Sequence, residues 1–211
     1  MVKIDLVTGF LGSGKTTFLK KYAKRLMEQG QNIGILENGF GAVNVDMMLL
    51  QELEGEQCEL EMISGGCDPE THRRRFRTKL IAMGMCGYDR VLVEPSGIYD
   101  MDEFFDVLHE EPLDQWYEIG NVIAVVDARL EDTLSPEAEY LLASQAANAG
   151  CMILSKCDTA TEEQRQNTIA HLKRSLAALG CKQRADQKIL CEGAEPLPDQ
   201  DFAAILSCGY Y

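Results

Sequence analysis

The sequence predicts an α/β fold: a mostly parallel central sheet with helices on both faces. Three observations carry that expectation. Short apolar, β-branched runs alternate with amphipathic stretches along the chain, as they do where helical crossovers build a parallel sheet. The first run, Val2 to Val7, leads into Gly9-Phe10-Leu11-Gly12-Ser13-Gly14-Lys15-Thr16, a complete G-x-x-x-x-G-K-[ST] phosphate loop. Behind the loop, Thr17 to Gln29 sets Phe18, Tyr22 and Leu26 on one face at helical spacing. Strand, loop and helix in that order predict a P-loop NTPase and a nucleoside triphosphate ligand.

Each later element follows from local signals. After Gly30, Asn32 to Glu37 is a second strand, followed by the glycine-rich Asn38-Gly39-Phe40-Gly41 and by Val45, Asp46 and a Met/Leu run. Cys58 to Ile63 alternates like a strand and leads into Ser64-Gly65-Gly66-Cys67. Asp68-Pro69-Glu70 opens a helix, with Asp as N-cap, Pro at the first helical position and Glu in the first turn. That helix, Thr71 to about Met83, carries Arg73, Arg74, Arg75 and Arg77, a set expected on a solvated face. Asp89 to Glu94 is a buried strand ending at Glu94-Pro95-Ser96-Gly97, and Met101 to Leu108 is a short amphipathic helix. Val122 to Val126 is a central strand closed by Asp127, and Pro136 to Asn148 is helical. Cys151 to Leu154 is a strand that runs into Ser155-Lys156-Cys157-Asp158. Thr161 to Leu179 has a 3.6-residue period and a capping box at Thr161 and Gln164. Lys188 to Cys191 is the last strand and Phe202 to Leu206 the core of a last helix.

The 211 residues suit one domain, 1–211, without repeats or linkers. A formal charge of −14 argues against nucleic acid as a partner. No apolar run approaches the roughly 20 residues that span a bilayer, and the chain enters its first strand at once. A cytoplasmic protein with no membrane partner and no signal peptide is expected. The eight cysteines include no C-x-x-C pair, so reduced thiols are expected rather than a structural zinc cage.

In a doubly wound sheet, ligands sit beyond the carboxyl ends of the strands. Gly9, Gly12 and Gly14 let the backbone turn tightly, so that amides around Ser13 point at phosphate oxygens. The helix beginning near Lys15, Thr16 and Thr17 adds its positive end. Lys15 is expected to reach the β/γ-phosphates and the Thr16 hydroxyl to ligate Mg²⁺. Glu94, at the end of an apolar strand, is the candidate second Mg²⁺ group and a catalytic residue with Lys15. Gly97 would present its amide to the γ-phosphate. Ser155-Lys156-Cys157-Asp158 resembles the [NST]-K-x-D base-recognition motif of GTP-binding proteins. Asp158 can accept from both N1–H and the 2-amino group of guanine, a pair that adenine lacks. Lys156 would lay its stem along the base.

GFLGSGKTTF, the E-x-x-G of Glu94 to Gly97, VVDA at Val125 to Ala128 and SKCD at Ser155 to Asp158 together resemble the CobW-type GTPases. These are relatives of the urease and hydrogenase nickel-insertion GTPases. The resemblance covers about residues 1–207 and corresponds to the nucleotide-binding domain of that family. It implies binding of GTP and GDP, slow Mg²⁺-dependent hydrolysis and dimerisation. It also implies a role in metal delivery or metallocofactor assembly, with a client metalloenzyme or cofactor-assembly protein as partner.

Three departures are visible. Where the family carries C-x-C-C after a glycine-rich turn, this chain has Cys67-Asp68-Pro69-Glu70 and keeps only the first cysteine. N-E-x-G stands here as Asn38-Gly39-Phe40-Gly41. The smaller C-terminal domain of many members is not found in the sequence. Cys67 is the candidate transition-metal ligand for Zn²⁺, Ni²⁺ or Co²⁺, with Asp68, Glu70 and His72 nearby. Asp68 and Glu70 are equally explained as helix-start residues. The alternatives to a GTPase of metal delivery are a P-loop small-molecule kinase and a nucleotide-gated chaperone that carries no metal.

Overall fold

Continuous burial, with side chains alternating between two cores, fixes the first strand. In β1 (Val2–Thr8), Ile4 and Leu6 face one core while Val7 faces the other, as the period of two requires. The computed structural model describes residues 1–38, 45–63, 68–96, 101–180 and 188–211. Its other strands are β2 (Ile33–Asn38), β3 (Cys58–Ile63), β4 (Arg90–Pro95), β5 (Tyr117–Asp127), β6 (Cys151–Ser155) and β7 (Lys188–Cys191). They form one sheet of seven strands in the order β3-β2-β4-β1-β5-β6-β7. Every pairing in it is parallel.

The helices α1 (Lys15–Glu28), α2 (Val45–Leu50) and α8 (Asp199–Leu206) cover one face. The other face is covered by α3 (Pro69–Gly84), α4 (Met101–Leu108), α5 (Leu113–Trp116), α6 (Pro136–Asn148) and α7 (Glu162–Ala178). Phe18, Tyr22 and Leu26 of α1 are fully buried, as their spacing predicted. Asp68 caps α3 through Thr71 N at 2.8 Å, with proline in the first turn. Thr161 and Gln164 form the reciprocal capping box of α7.

Three features differ from the sequence reading. β5 starts at Tyr117 rather than Val122, because Gly120-Asn121 looks like a turn and is instead an irregular piece of strand. The β1–β5 register shifts between Ile4 and Leu6, opposite Ile119 and Val122. A Cβ on Gly120 would lie 2.3 Å from Asp5 Oδ1, so a buried carboxylate dictates that glycine. The short helices α2 and α5 carried no cap or period long enough to announce them. The arginines of α3 also divide. Arg73 and Arg77 bind Glu110 at 2.6 and 2.9 Å and Arg77 also reaches Glu111 O, tying α3 to the segment after α4, whereas Arg74 and Arg75 stay exposed.

Candidate nucleotide site

β1 lies between β4 and β5: the chain leaves it toward β2 on one side, returns with β4 to fill the gap between them, and then continues with β5 on the other side. Such a change of direction opens a crevice at the strand ends, and the loop after β1 occupies it. Gly9, Gly12 and Gly14 have φ values of 145°, 74° and 92°, a region that costs any residue with a Cβ. Gly9 is constrained twice, because a Cβ there would lie 2.1 Å from Val125 O of β5. Gly14 is the left-handed N-cap of α1, and Phe18 N returns to its carbonyl at 3.0 Å. The loop closes on itself through Ser13 N to Phe10 O at 3.1 Å.

Lys15 is 7% exposed, and its amine donates to Phe10 O at 3.1 Å. A backbone carbonyl is a neutral acceptor, and among the described residues no carboxylate pairs with this lysine. Thr16 Oγ1 donates to Glu94 Oε1 at 2.8 Å, with both residues buried. The hydroxyl after the lysine and the carboxylate near the end of β4 therefore meet, although 78 positions separate them. Thr17, the next residue of α1, is exposed. Gly97 and Cys67 lie outside the described residues.

The segment after β6 grips the same loop. Ser155 Oγ donates to Ser13 O, and its Cβ and Oγ sit 3.3 Å from where a Gly14 Cβ would be. Lys156, in the left-handed region at φ 57°, donates to Gly12 O and to Asp127 Oδ2, each at 2.7 Å. Its amine thus bridges the phosphate loop to the end of β5. Burial raises the Asp127 pKa, but hydrogen bonds from Arg129 and Lys156 outweigh it and hold the carboxyl below its usual value. Asp158 is exposed and stands against Gly193, whose added Cβ would come within 3.2 Å of the Asp158 Cβ.

Two contributors escaped the sequence reading. Glu37 is the penultimate residue of β2, is buried, and is the register partner of Glu94. A carboxylate closing an apolar strand was the signal used for Glu94, and it would have found Glu37 as well. Lys21 of α1 donates to Glu192 Oε1, to Gly193 O and, at 3.0 Å, to Glu195 O. It pins the loop behind Asp158, and no local pattern marks it.

The residues near Cys67 do not gather. Asp68 holds Thr71 N and Oγ1, while buried His72 faces Glu103 of α4 at 3.3 Å. Among the described residues no group of three or more His, Cys, Asp or Glu could hold a metal ion.

The phosphate loop joined to Thr16–Glu94 and to the SKCD segment agrees with a family model. The CobW/HypB/UreG nucleotide-binding domain matches residues 3–182. The chain belongs to that family. Among curated relatives, the zinc chaperone YjiA of Escherichia coli K12 is 29% identical over 172 residues, covering 78% of this chain and 52% of that one. The zinc chaperone YeiR of the same organism is 28% identical over 167 residues, covering 79% and 50%. This member of the CobW/HypB/UreG family thus spans about half the length of the curated relatives it matches. A LAO/AO transport system kinase superposes with a TM-score of 0.62 at 17% identity, over 99% of this chain and 59% of that one. At that identity the likeness shows the P-loop NTPase fold.

Proposed function

We propose that residues 1–211 form one guanine-nucleotide-binding domain that hydrolyses GTP to GDP and phosphate in the service of metal delivery. One observation carries the nucleotide half of this reading. The segment proposed to recognise the base, Ser155 to Asp158, is hydrogen-bonded to the backbone of the loop proposed to hold the phosphates. Both ends of one nucleotide would then be held by a single connected unit.

In this reading the amides of Gly12 to Thr16 and the positive end of α1 bind the β-phosphate. Lys15 leaves the neutral Phe10 carbonyl for phosphate oxygens. Thr16 and Glu94 supply hard oxygen donors that suit Mg²⁺, and that ion, when bound, would neutralise charge between the β- and γ-phosphates. Asp158 accepts the guanine edge. Lys156 orients the segment from behind rather than through the base alone, since its amine is held by Gly12 O and Asp127.

The metal half rests on relatives named zinc chaperones. We assign zinc as cargo and a client metalloenzyme or cofactor-assembly protein as recipient, with a second copy of the chain as a further partner. A cytoplasmic setting fits this reading, and no helix among the described residues is long and apolar enough to cross a membrane.

Titration calorimetry with GDP and ADP tests the assignment. GDP should bind well and ADP weakly. Asp158→Ala should cost about 1–3 kcal/mol of GDP binding, the scale of lost hydrogen bonds to a charged acceptor, without changing the fold by circular dichroism. Equal affinity for the two nucleotides would favour a small-molecule kinase instead.

A further inference from the structure

β3 is an edge of the sheet, and β2 is its neighbour on the inner side. Its backbone groups alternate between the two sides. Gln57 O accepts from Ile33 N of β2 at 2.9 Å. On the outer side Gly55 N donates to Cys58 O at 2.9 Å and Cys58 N to Gly55 O at 3.3 Å. Every second residue of a strand turns its backbone groups to the same side, so Leu60 and Met62 point theirs outward with Cys58. Among the described residues these four groups meet no backbone partner. Met62 also exposes 38% of its surface, and a bare edge of this kind is a template for another strand.

The charge along this edge is divided by end. Beside Met62 and Ile63, where β3 stops, Arg74, Arg75 and Lys79 of α3 line a cavity of about 430 Å³ with no carboxylate among its described walls. Around Cys58, where β3 starts, Glu54, Glu56 and Glu59 line a cavity of about 370 Å³ with no basic group among its described walls. The whole chain carries a formal charge of −14, so composition alone does not account for the basic end.

We propose that this edge is an interaction surface for a second copy of the chain, added antiparallel across a two-fold axis so that the two sheets continue through β3. The proposal rests on the second copy already assigned as a partner and names the surface it takes. A two-fold reverses the strand, so the basic end of each copy meets the acidic end of the other, and the same contact forms twice. A parallel pairing would set each end against its like. Gly55 closes the outer ladder at Cys58, which leaves Leu60 to exchange hydrogen bonds with Met62 of the other copy, and Met62 with its Leu60. The same residues pack as apolar cross-strand pairs. In this register Glu59 stands opposite Ile63 of the other copy, on the face that carries α3, where Arg74 lines the basic cavity. The two Glu61 side chains meet at the axis, each held by its own Lys79 at 2.6 Å.

Sedimentation velocity of the full chain without nucleotide tests this independently of the guanine reading. The parent should dimerise with a dissociation constant of about 1–100 µM, the range of a small interface. Arg74→Glu and Glu59→Arg should each weaken the dimer at least about tenfold, because each sets like charges together twice. An equimolar mixture of the two should recover a heterodimer as tight as the parent dimer. Glu59 also accepts from Tyr88 Oη, so Met62→Pro serves as a variant free of that contact. It removes an outward N–H that the ladder with β2 does not use, and edge strands tolerate proline. Met62→Pro should be monomeric with an unchanged circular dichroism spectrum. A parent dimer that survives all three substitutions overturns this surface and leaves a second copy docked elsewhere. A monomeric parent overturns both the surface and the second copy as a partner. Variants that weaken the dimer without recovery in the mixture overturn the antiparallel pairing of opposite ends.

Discussion

Two polar clusters flank the middle of the sheet, and they are built on opposite plans. The first centres on Asp5 of β1, which is fully buried. Arg90 donates to both of its oxygens at 2.8 and 2.6 Å, Tyr22 Oη donates at 2.7 Å and Asn121 N at 2.8 Å. Asn121 in turn donates to Tyr22 Oη and accepts from Gly209 N. Burial first, and Asp5 next, push the Tyr22 phenol well above its usual value, so it remains a donor. Here every charge is answered by the chain itself. The second cluster is the phosphate loop, where among the described residues Lys15 donates to a backbone carbonyl and pairs with no carboxylate, and the turn is forced by three left-handed glycines. The chain gives up conformational freedom there, and no described residue answers the charge. A closed cluster holds the fold, and the open one is where the anion of the nucleotide is proposed to sit.

Four substitutions can break or sharpen this contrast. The largest effect is expected in the closed cluster. Arg90→Met leaves the Asp5 carboxylate buried without its cation, which costs about 3–5 kcal/mol. Denaturant unfolding should show that loss, while any folded fraction keeps its GDP affinity. A loss below about 1 kcal/mol would mean that Asp5 is not held as a charge.

In the open cluster the signs reverse. Lys15→Ala should lower GTP turnover by at least about 100-fold, the scale of removing one preorganised charge stabiliser, with little change in the unfolding midpoint. A large fall in stability would make Lys15 a structural residue. Glu94→Gln comes next, with turnover depressed roughly tenfold or more and nucleotide affinity largely kept. Hydrolysis at the parent rate would move Glu94 to the closed class, as a plain partner of Thr16.

The smallest effect concerns Asp127, which belongs partly to each plan. Its folded pKa lies below the unfolded value, so its stabilising contribution is complete above the unfolded pKa and fades as pH falls through the folded one. The difference in melting temperature between the parent and Asp127→Asn should be constant from pH 8 to about 5 and shrink below about pH 4. A difference that grows on acidification would reverse the assignment of the Lys156–Asp127 pair.

The sequence by itself determined what is local. The glycine spacing of 9–14 requires left-handed backbone. The run Val2 to Val7 is apolar and β-branched enough to be a buried strand. Asp68 and Thr161 announce the starts of their helices because a cap needs only neighbours within three residues. Glu94 and the SKCD segment were legible as ends of buried runs. Tertiary structure decided whatever depends on pairing distant elements. Gly120 looks like a turn until β1 brings Asp5 against it. Lys21 is one more helix lysine until the loop after β7 descends on it. Arg73 and Arg77 are a solvated face until Glu110 arrives. In each case the partner lies far away in the chain, and a strand's own period says which face a residue takes but not which strand stands next to it.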